Sequence, residues 1–125
     1  MPHRKIVSKK LGKMLSSISH HARIRIIAEL HNNERCVSEL KDLLSISSSS
    51  VSHHLSVLKA INVVKERRDG HHVYYSLTNP RIALWLIEAV SFIEPDLSVS
   101  KELTNAIRMT QSNWLGQEEA ASASK

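Results

Sequence analysis

Ser47-Ser48-Ser49-Ser50-Val51-Ser52-His53-His54-Leu55-Ser56-Val57-Leu58-Lys59-Ala60-Ile61 is the stretch on which the fold turns. Its serine-rich opening has the composition of a low-complexity linker. Val51, Leu55, Leu58 and Ile61, however, recur at intervals of four, three and three, which is one stripe along a helix. A hydroxyl at Ser47 can accept from the amides of a first turn, so the serines open a helix instead of separating domains. Asn62 suits the left-handed stop that follows. The spacing predicts a helix from Ser47 to Ile61, with Val51, Leu55 and Leu58 inward and Ser48, Ser49, Ser52, His53 and Ser56 outward.

Downstream the period changes. Val63 to Arg68 and Val73 to Leu77 are short, alternating, β-branched or aromatic segments joined through Asp69-Gly70. Asp-Gly between two such runs signals a hairpin, because both residues tolerate positive φ. The turn is expected to reach His71 and His72, giving a basic, polar tip. Asn79-Pro80 closes the hairpin and starts a helix. From Ile82 to Ile93 every residue except Glu88 and Ser91 is apolar, more than one stripe requires. A small core covers only part of such a circumference, and a second copy of the chain is expected to cover the rest. Glu94-Pro95-Asp96 breaks this helix, and a last amphipathic segment runs from Leu97 to Leu115 with Leu103, Ile107 and Trp114.

Upstream, Ile6, Leu11, Leu15 and Ile18 with intervening lysines predict an amphipathic first helix. Ala22 to Leu30 predicts a second, ended by Asn32-Asn33. Val37 to Leu44 predicts a third, with Leu40, Leu43 and Leu44 on one face and Ser38 as the expected cap.

The chain's 125 residues are enough for one core, and 42% apolar with 23% charged content is that of a globular domain. Five aromatics leave core building to aliphatic side chains. The single cysteine, Cys36, excludes an intramolecular disulfide and fits a reducing cytoplasm. Ile82 to Ile93 is too short to span a bilayer, and Met1 to Lys13 is basic without a following apolar run, so neither membrane nor secretion is expected. The net charge of +5 is concentrated at the start: seven basic residues and no acid precede Glu29. A second basic knot lies at Lys65, Arg67 and Arg68. A basic patch beside a neutral body is the footprint of a polyanion binder.

Helices, then a serine-capped helix with a polar outer face, then a basic-tipped hairpin, is the order of a winged helix-turn-helix. The expected fold class is mainly α with a small β-hairpin (α-α-α-α-β-β-α), homodimeric. Such a helix fits the major groove and offers short polar side chains to base edges, while the hairpin reaches flanking phosphates or the minor groove.

Three stretches resemble the ArsR/SmtB-type bacterial winged-helix repressors. They are Ala22-Arg23-Ile24-Arg25-Ile26-Ile27, similar to the family's opening helix; Ser50-Val51-Ser52-His53-His54-Leu55-Ser56-Val57-Leu58, similar to its recognition-helix signature; and Arg67-Arg68-Asp69-Gly70-His71-His72-Val73-Tyr74-Tyr75-Ser76-Leu77, similar to its wing. The resemblance covers about His20 to Asn79. It implies a homodimeric, cytoplasmic DNA-binding transcriptional repressor, joined through its first and last helices and released from double-stranded operator DNA by a signal it does not name. Ser52 and His54 match the signature Ser and His, and Ser48, Ser49, Ser50 and His53 match variable positions facing the groove. This helix lacks the long Arg or Gln side chains that make bidentate base contacts, which shifts discrimination toward hydroxyls, His53 and DNA shape. His54 is read either as a packed structural residue or as a phosphate contact.

The expected DNA-contacting set is Ser48, Ser49, Ser50, Ser52, His53, His54, Ser56, Lys59, Arg67, Arg68, His71 and His72. The expected dimer interface comprises Leu11, Leu15, Leu84, Trp85, Leu86, Ala89, Val90 and Ile93. By domain, residues 1–95 are the DNA-binding and dimerisation unit, 96–116 a C-terminal helix extending the interface, and 117–125 a frayed tail. No metal site or cofactor is expected. The stretch that holds a Cys-x-Cys pair in many members reads Glu34-Arg35-Cys36-Val37-Ser38, with serine for the second thiolate. The last core helix offers Glu88 and Glu94 but none of the histidines other members use there. Adjacent histidine pairs (His20-His21, His53-His54, His71-His72) diverge too far to grip one ion, and His31 with Cys36 lacks further partners. The competing readings are a protein-binding winged-helix module and a metal- or redox-responsive repressor using Cys36. No nucleophile–base–orienter motif marks an enzyme.

Overall fold

The structure, a computed structural model, describes residues 1–93, 105–110 and 112–113. Its elements run α1 (Pro2–Ile18), α2 (His21–Glu29), α3 (Val37–Leu44), α4 (Ser48–Ala60), β1 (Val64–Asp69), β2 (His72–Leu77) and α5 (Arg81–Ala89), the expected order. Residues 105–110 and 112–113 are helical. The rest of the expected C-terminal helix, including Trp114, the break at Glu94-Pro95-Asp96 and the tail 117–125 lie outside the described residues.

Local chemistry sets the boundaries. Asn32 and Asn62 take φ of 62° and 59°, the left-handed stops that asparagine tolerates best after glycine. α3 stops on Ser45 in the same region, and Ser45-Ile46-Ser47 then forms the tight corner between α3 and α4. The start of α3 differs from expectation. Its N-cap is Cys36, whose N–H donates to the Glu39 carboxylate at 3.2 Å. Ser38 lies within the first turn, because an acid three residues past the cap fixes the start there.

β1 and β2 pair antiparallel from Val64↔Leu77 to Asp69↔His72, so the turn is narrower than expected and only Gly70 and His71 lie between the strands. Only Gly70 of the turn takes positive φ (61°), with Asp69 still in the ladder. Glycine first and an ordinary residue second gives the φ signs of a type II′ turn, whose twist matches that of the strands. Arg35 adds a bridge on the outer edge of β2, exchanging backbone hydrogen bonds of 3.0 and 2.8 Å with Tyr75. The wing is thereby stitched to the loop before α3.

The core is aliphatic: Ile18, Ala22, Ile26, Ile27, Leu30, Leu40, Leu44, Val51, Leu55, Leu58, Val63, Val64, Leu77 and Ala83 form one buried cluster. α5 presents Ala83 and Ile87 to the interior. It ends earlier than its apolar run, tightening after Ala89 into a 3-10 turn at Val90–Phe92.

Candidate nucleic-acid interface

α4 is aimed by its buried stripe and its cap. Val51, Leu55 and Leu58 are at most 1% exposed, so the helix cannot roll without uncovering them. Ser47 Oγ accepts from the Ser50 N–H at 3.1 Å. No acidic residue occupies the first turn, leaving the positive helix pole open to an anion. Ser48, Ser49, Ser52, His53 and Ser56 form the exposed outer face. Ser50 is half-buried, and its hydroxyl accepts from Ser47 Oγ.

Two of the expected contacts on α4 are engaged elsewhere. His54 lies three residues after Val51 and four before Leu58, on the inner stripe, and is buried. Its Nδ1 accepts from Arg23 Nε–H at 3.1 Å. Lys59 pairs with Glu66 of β1 at 3.0 Å, tying the end of α4 to the root of the wing. That hydrogen bond from Lys59 is the main reason the Glu66 carboxyl sits below the usual carboxylate range.

The wing divides its two arginines. Alternation along β1 puts Arg68 on the Glu66 side and Arg67 on the other. Arg67 donates twice to Glu34, at 3.1 and 2.9 Å, and stacks 5.0 Å over the Tyr74 ring. The same bond holds the Glu34 carboxyl below its ordinary value. Arg67, itself half-exposed, therefore braces the wing, while Arg68, His71 and His72 form its exposed tip. Sequence reasoning missed Glu34, Glu66 and Arg23 as organisers. The first is 33 residues from its partner, and no local pattern announces such a pair.

A second exposed surface is apolar. Leu11 and Leu15 of α1 and Leu84 and Trp85 of α5 are 37–48% exposed, and Ile93 is 50% exposed. Leu86, Ala89 and Val90 beside them are half-buried. Cys36 is half-buried and occupied with capping. Among the described residues no three His, Cys, Asp or Glu side chains gather as a metal site, and no helix is long and apolar enough to cross a membrane.

A tight helical corner leading into an outward-facing polar helix, followed by a braced two-stranded wing, defines a winged helix-turn-helix protein. The model of the bacterial regulatory proteins of the arsR family matches residues 20–66. The transcriptional repressor SmtB of Mycobacterium tuberculosis is 36% identical over 95 residues, 76% of this chain and 70% of that protein. The cadmium resistance regulatory protein CadC of Listeria innocua is 34% identical over 82 residues, 65% of this chain and 69% of its own. Among solved structures, NolR from Sinorhizobium fredii superposes with a TM-score of 0.66 at 28% identity, covering 80% of this chain and 96% of that one. Reduced HlyU from Vibrio cholerae gives 0.65 at 25% identity, covering 74% and 98%. The chain belongs to the arsR family of bacterial regulatory proteins.

Proposed function

We propose that two copies of this chain pair through α1 and α5 and repress transcription by occupying operator DNA. α4 of each copy enters the major groove, and the wing tip meets the flanking backbone. The observation that carries this reading is the division of α4 itself, with an apolar stripe sealed in the core and an outer row of hydroxyls beside His53. A helix about 10–12 Å across fits a major groove about 12 Å wide. Ser48, Ser49, Ser52, His53 and Ser56 then face base edges, while Arg68, His71 and His72 face phosphates. Ser50 and His54 act behind this surface, while Lys59 and Arg67, half-exposed at its margin, hold its parts in place through Glu66 and Glu34.

The pairing rests on the apolar face. Leu11, Leu15, Leu84, Trp85 and Ile93 are all exposed, and exposed apolar surface of this kind marks a site of association. A cleft of about 350 Å³, lined by Met14, Ile61, Val63, Ile82 and Trp85 together with Asn62, Asn79 and Arg81, reaches Trp85 of this face and gives it relief for an interdigitating partner. Twofold pairing sets the two α4 helices for half-sites about one helical turn, 34–36 Å, apart.

Fluorescence anisotropy with labelled duplexes tests the reading. Binding should weaken steeply between about 50 and 200 mM salt, as phosphate neutralisation requires. A pool of random duplexes should yield an enriched inverted repeat. Salt-indifferent binding with no enriched sequence would leave the protein-binding alternative standing.

A further inference from the structure

A cluster of four imidazoles and one guanidinium runs from the exposed His53 on the outer face of α4 inward to the buried His54 and across to the start of α2. His20 stacks on His21 at 4.7 Å and meets His54 in a tilted contact at 4.5 Å, and His54 approaches His53 at 5.6 Å between ring centroids. Two of these rings use Nδ1 as a hydrogen-bond acceptor. His20 Nδ1, at the cap of α2, accepts from the Ala22 N–H at 3.1 Å. His54 Nδ1 accepts from Arg23 Nε–H at 3.1 Å. The same guanidinium donates through Nη1 to the Ser17 carbonyl at 2.8 Å, in the last turn of α1. One chain of bonds thus runs from α1 through Arg23 to the inner side of α4. An imidazole accepts at Nδ1 only when that nitrogen carries no proton. Arg23 does not deprotonate, so it has no way to exchange roles with a protonated ring.

We propose that His54 is a proton-sensitive latch on α4: neutral, it fastens the helix to Arg23 and α1; protonated, it releases that hold and the protein lets go of its operator. This rests on the operator-binding reading above. The neighbours leave the added charge no compensation. Arg23, His20 and His21 face His54 from α2 and its cap, and His53 lies beside it on α4; no carboxylate is among the described groups acting on it. Protonating His54 sets a cation against Arg23 in a partly dry joint, and protonating His20 removes the α2 cap at the same place. Burial first, and then His20, Arg23, His53 and His21, hold the His54 ring below the ordinary histidine value. Desolvation and then His21, Arg23 and His53 lower His20 likewise. The unfolded chain therefore takes up these protons first. The latch contributes fully above the ordinary histidine range and is lost as pH falls through that range toward the folded-state values.

The test compares the full-length protein with His54→Gln, whose amide oxygen can accept from Arg23 yet does not titrate. The probes are the inverted repeat enriched at pH 8 and a random duplex of equal length. Their affinity ratio cancels any change in general DNA attraction that comes with pH. From pH 7.5 to 5.5 the wild-type ratio should fall by up to about tenfold, the most that one imidazole titrating in its ordinary range once released can supply. In His54→Gln it should stay nearly level. A step of equal size in His54→Gln, or none in wild type, overturns the latch. Two arms free of DNA and of the variant's foldability decide it separately. The wild-type melting temperature should drop over the same pH interval, and the His54 ring should titrate with that drop by NMR. A ring that stays neutral while melting shifts refutes the proposal. Absence of an enriched repeat at any pH refutes the operator reading instead.

Discussion

α4 and α5 are both helices with one buried side, yet they finish the other side in opposite ways. α4 turns serines and a histidine outward and needs no further cover. α5 buries Ala83 and Ile87 but leaves Leu84 and Trp85 at 38% and 45% exposure. Water satisfies the first surface and is expelled from the second. A single chain therefore suffices to cover the inner side of α4, whereas the outer side of α5 keeps large apolar side chains in the open. Under the proposed function the two facts divide the labour: the monomer fold aims one helix, and pairing sets the distance between two.

The sharpest way to break this contrast is to damage each helix on its buried side. Leu58→Ala removes a fully buried side chain from α4 and should cost about 2–5 kcal/mol of folding stability, read by urea unfolding. In a protein of this size that is a large share of the total. The loss should appear at every protein concentration, since Leu58 packs within its own chain. A variant that melts normally would mean α4 is positioned by something other than its stripe.

Trp85→Ala attacks the opposite kind of surface. A half-exposed aromatic at a pairing face acts as an anchor, and its truncation should cost about 2 kcal/mol of association, a factor of about thirty in the dimer Kd. Sedimentation equilibrium should show dissociation into folded monomers. Wild-type melting should also rise with protein concentration, as it does when a partner stabilises the fold. A Trp85→Ala dimer of undiminished affinity would move the interface away from α5.

The same contrast explains what the sequence made legible. The α4 stripe, the Ser47 cap and the Asn62 stop lie within sixteen residues of one another, and each follows from local periodicity or backbone preference. The apolar excess of α5 was equally visible, since more apolar residues than one stripe needs must face something. Orientation at the level of single side chains was harder. The sequence leaves His54 open between a packed residue and a phosphate contact, because its partner Arg23 lies 31 residues away and no local pattern announces it. Cys36 displaced Ser38 as the α3 cap because the deciding acid was Glu39, three positions beyond it. Least legible was the wing. Its two adjacent arginines read as one basic knot, and only the return of the chain past Glu34 distinguishes them.

That last distinction yields the smallest effect and a direct measurement. Arg68→Ala should lower the slope of log K against log salt by about one, the signature of one lost phosphate contact. Arg67→Ala should leave the slope nearly unchanged, because its guanidinium is spent on Glu34 and Tyr74. What Arg67→Ala should lower instead is the preference for the enriched repeat over random duplex, since an unbraced wing approaches the backbone in more than one pose. Glu34→Ala supplies the converse: a freed Arg67 beside the tip should add to the slope while eroding the same preference. Equal slope losses in Arg67→Ala and Arg68→Ala would show that both arginines leave their protein partners on DNA. The brace would then be a feature of the free protein alone.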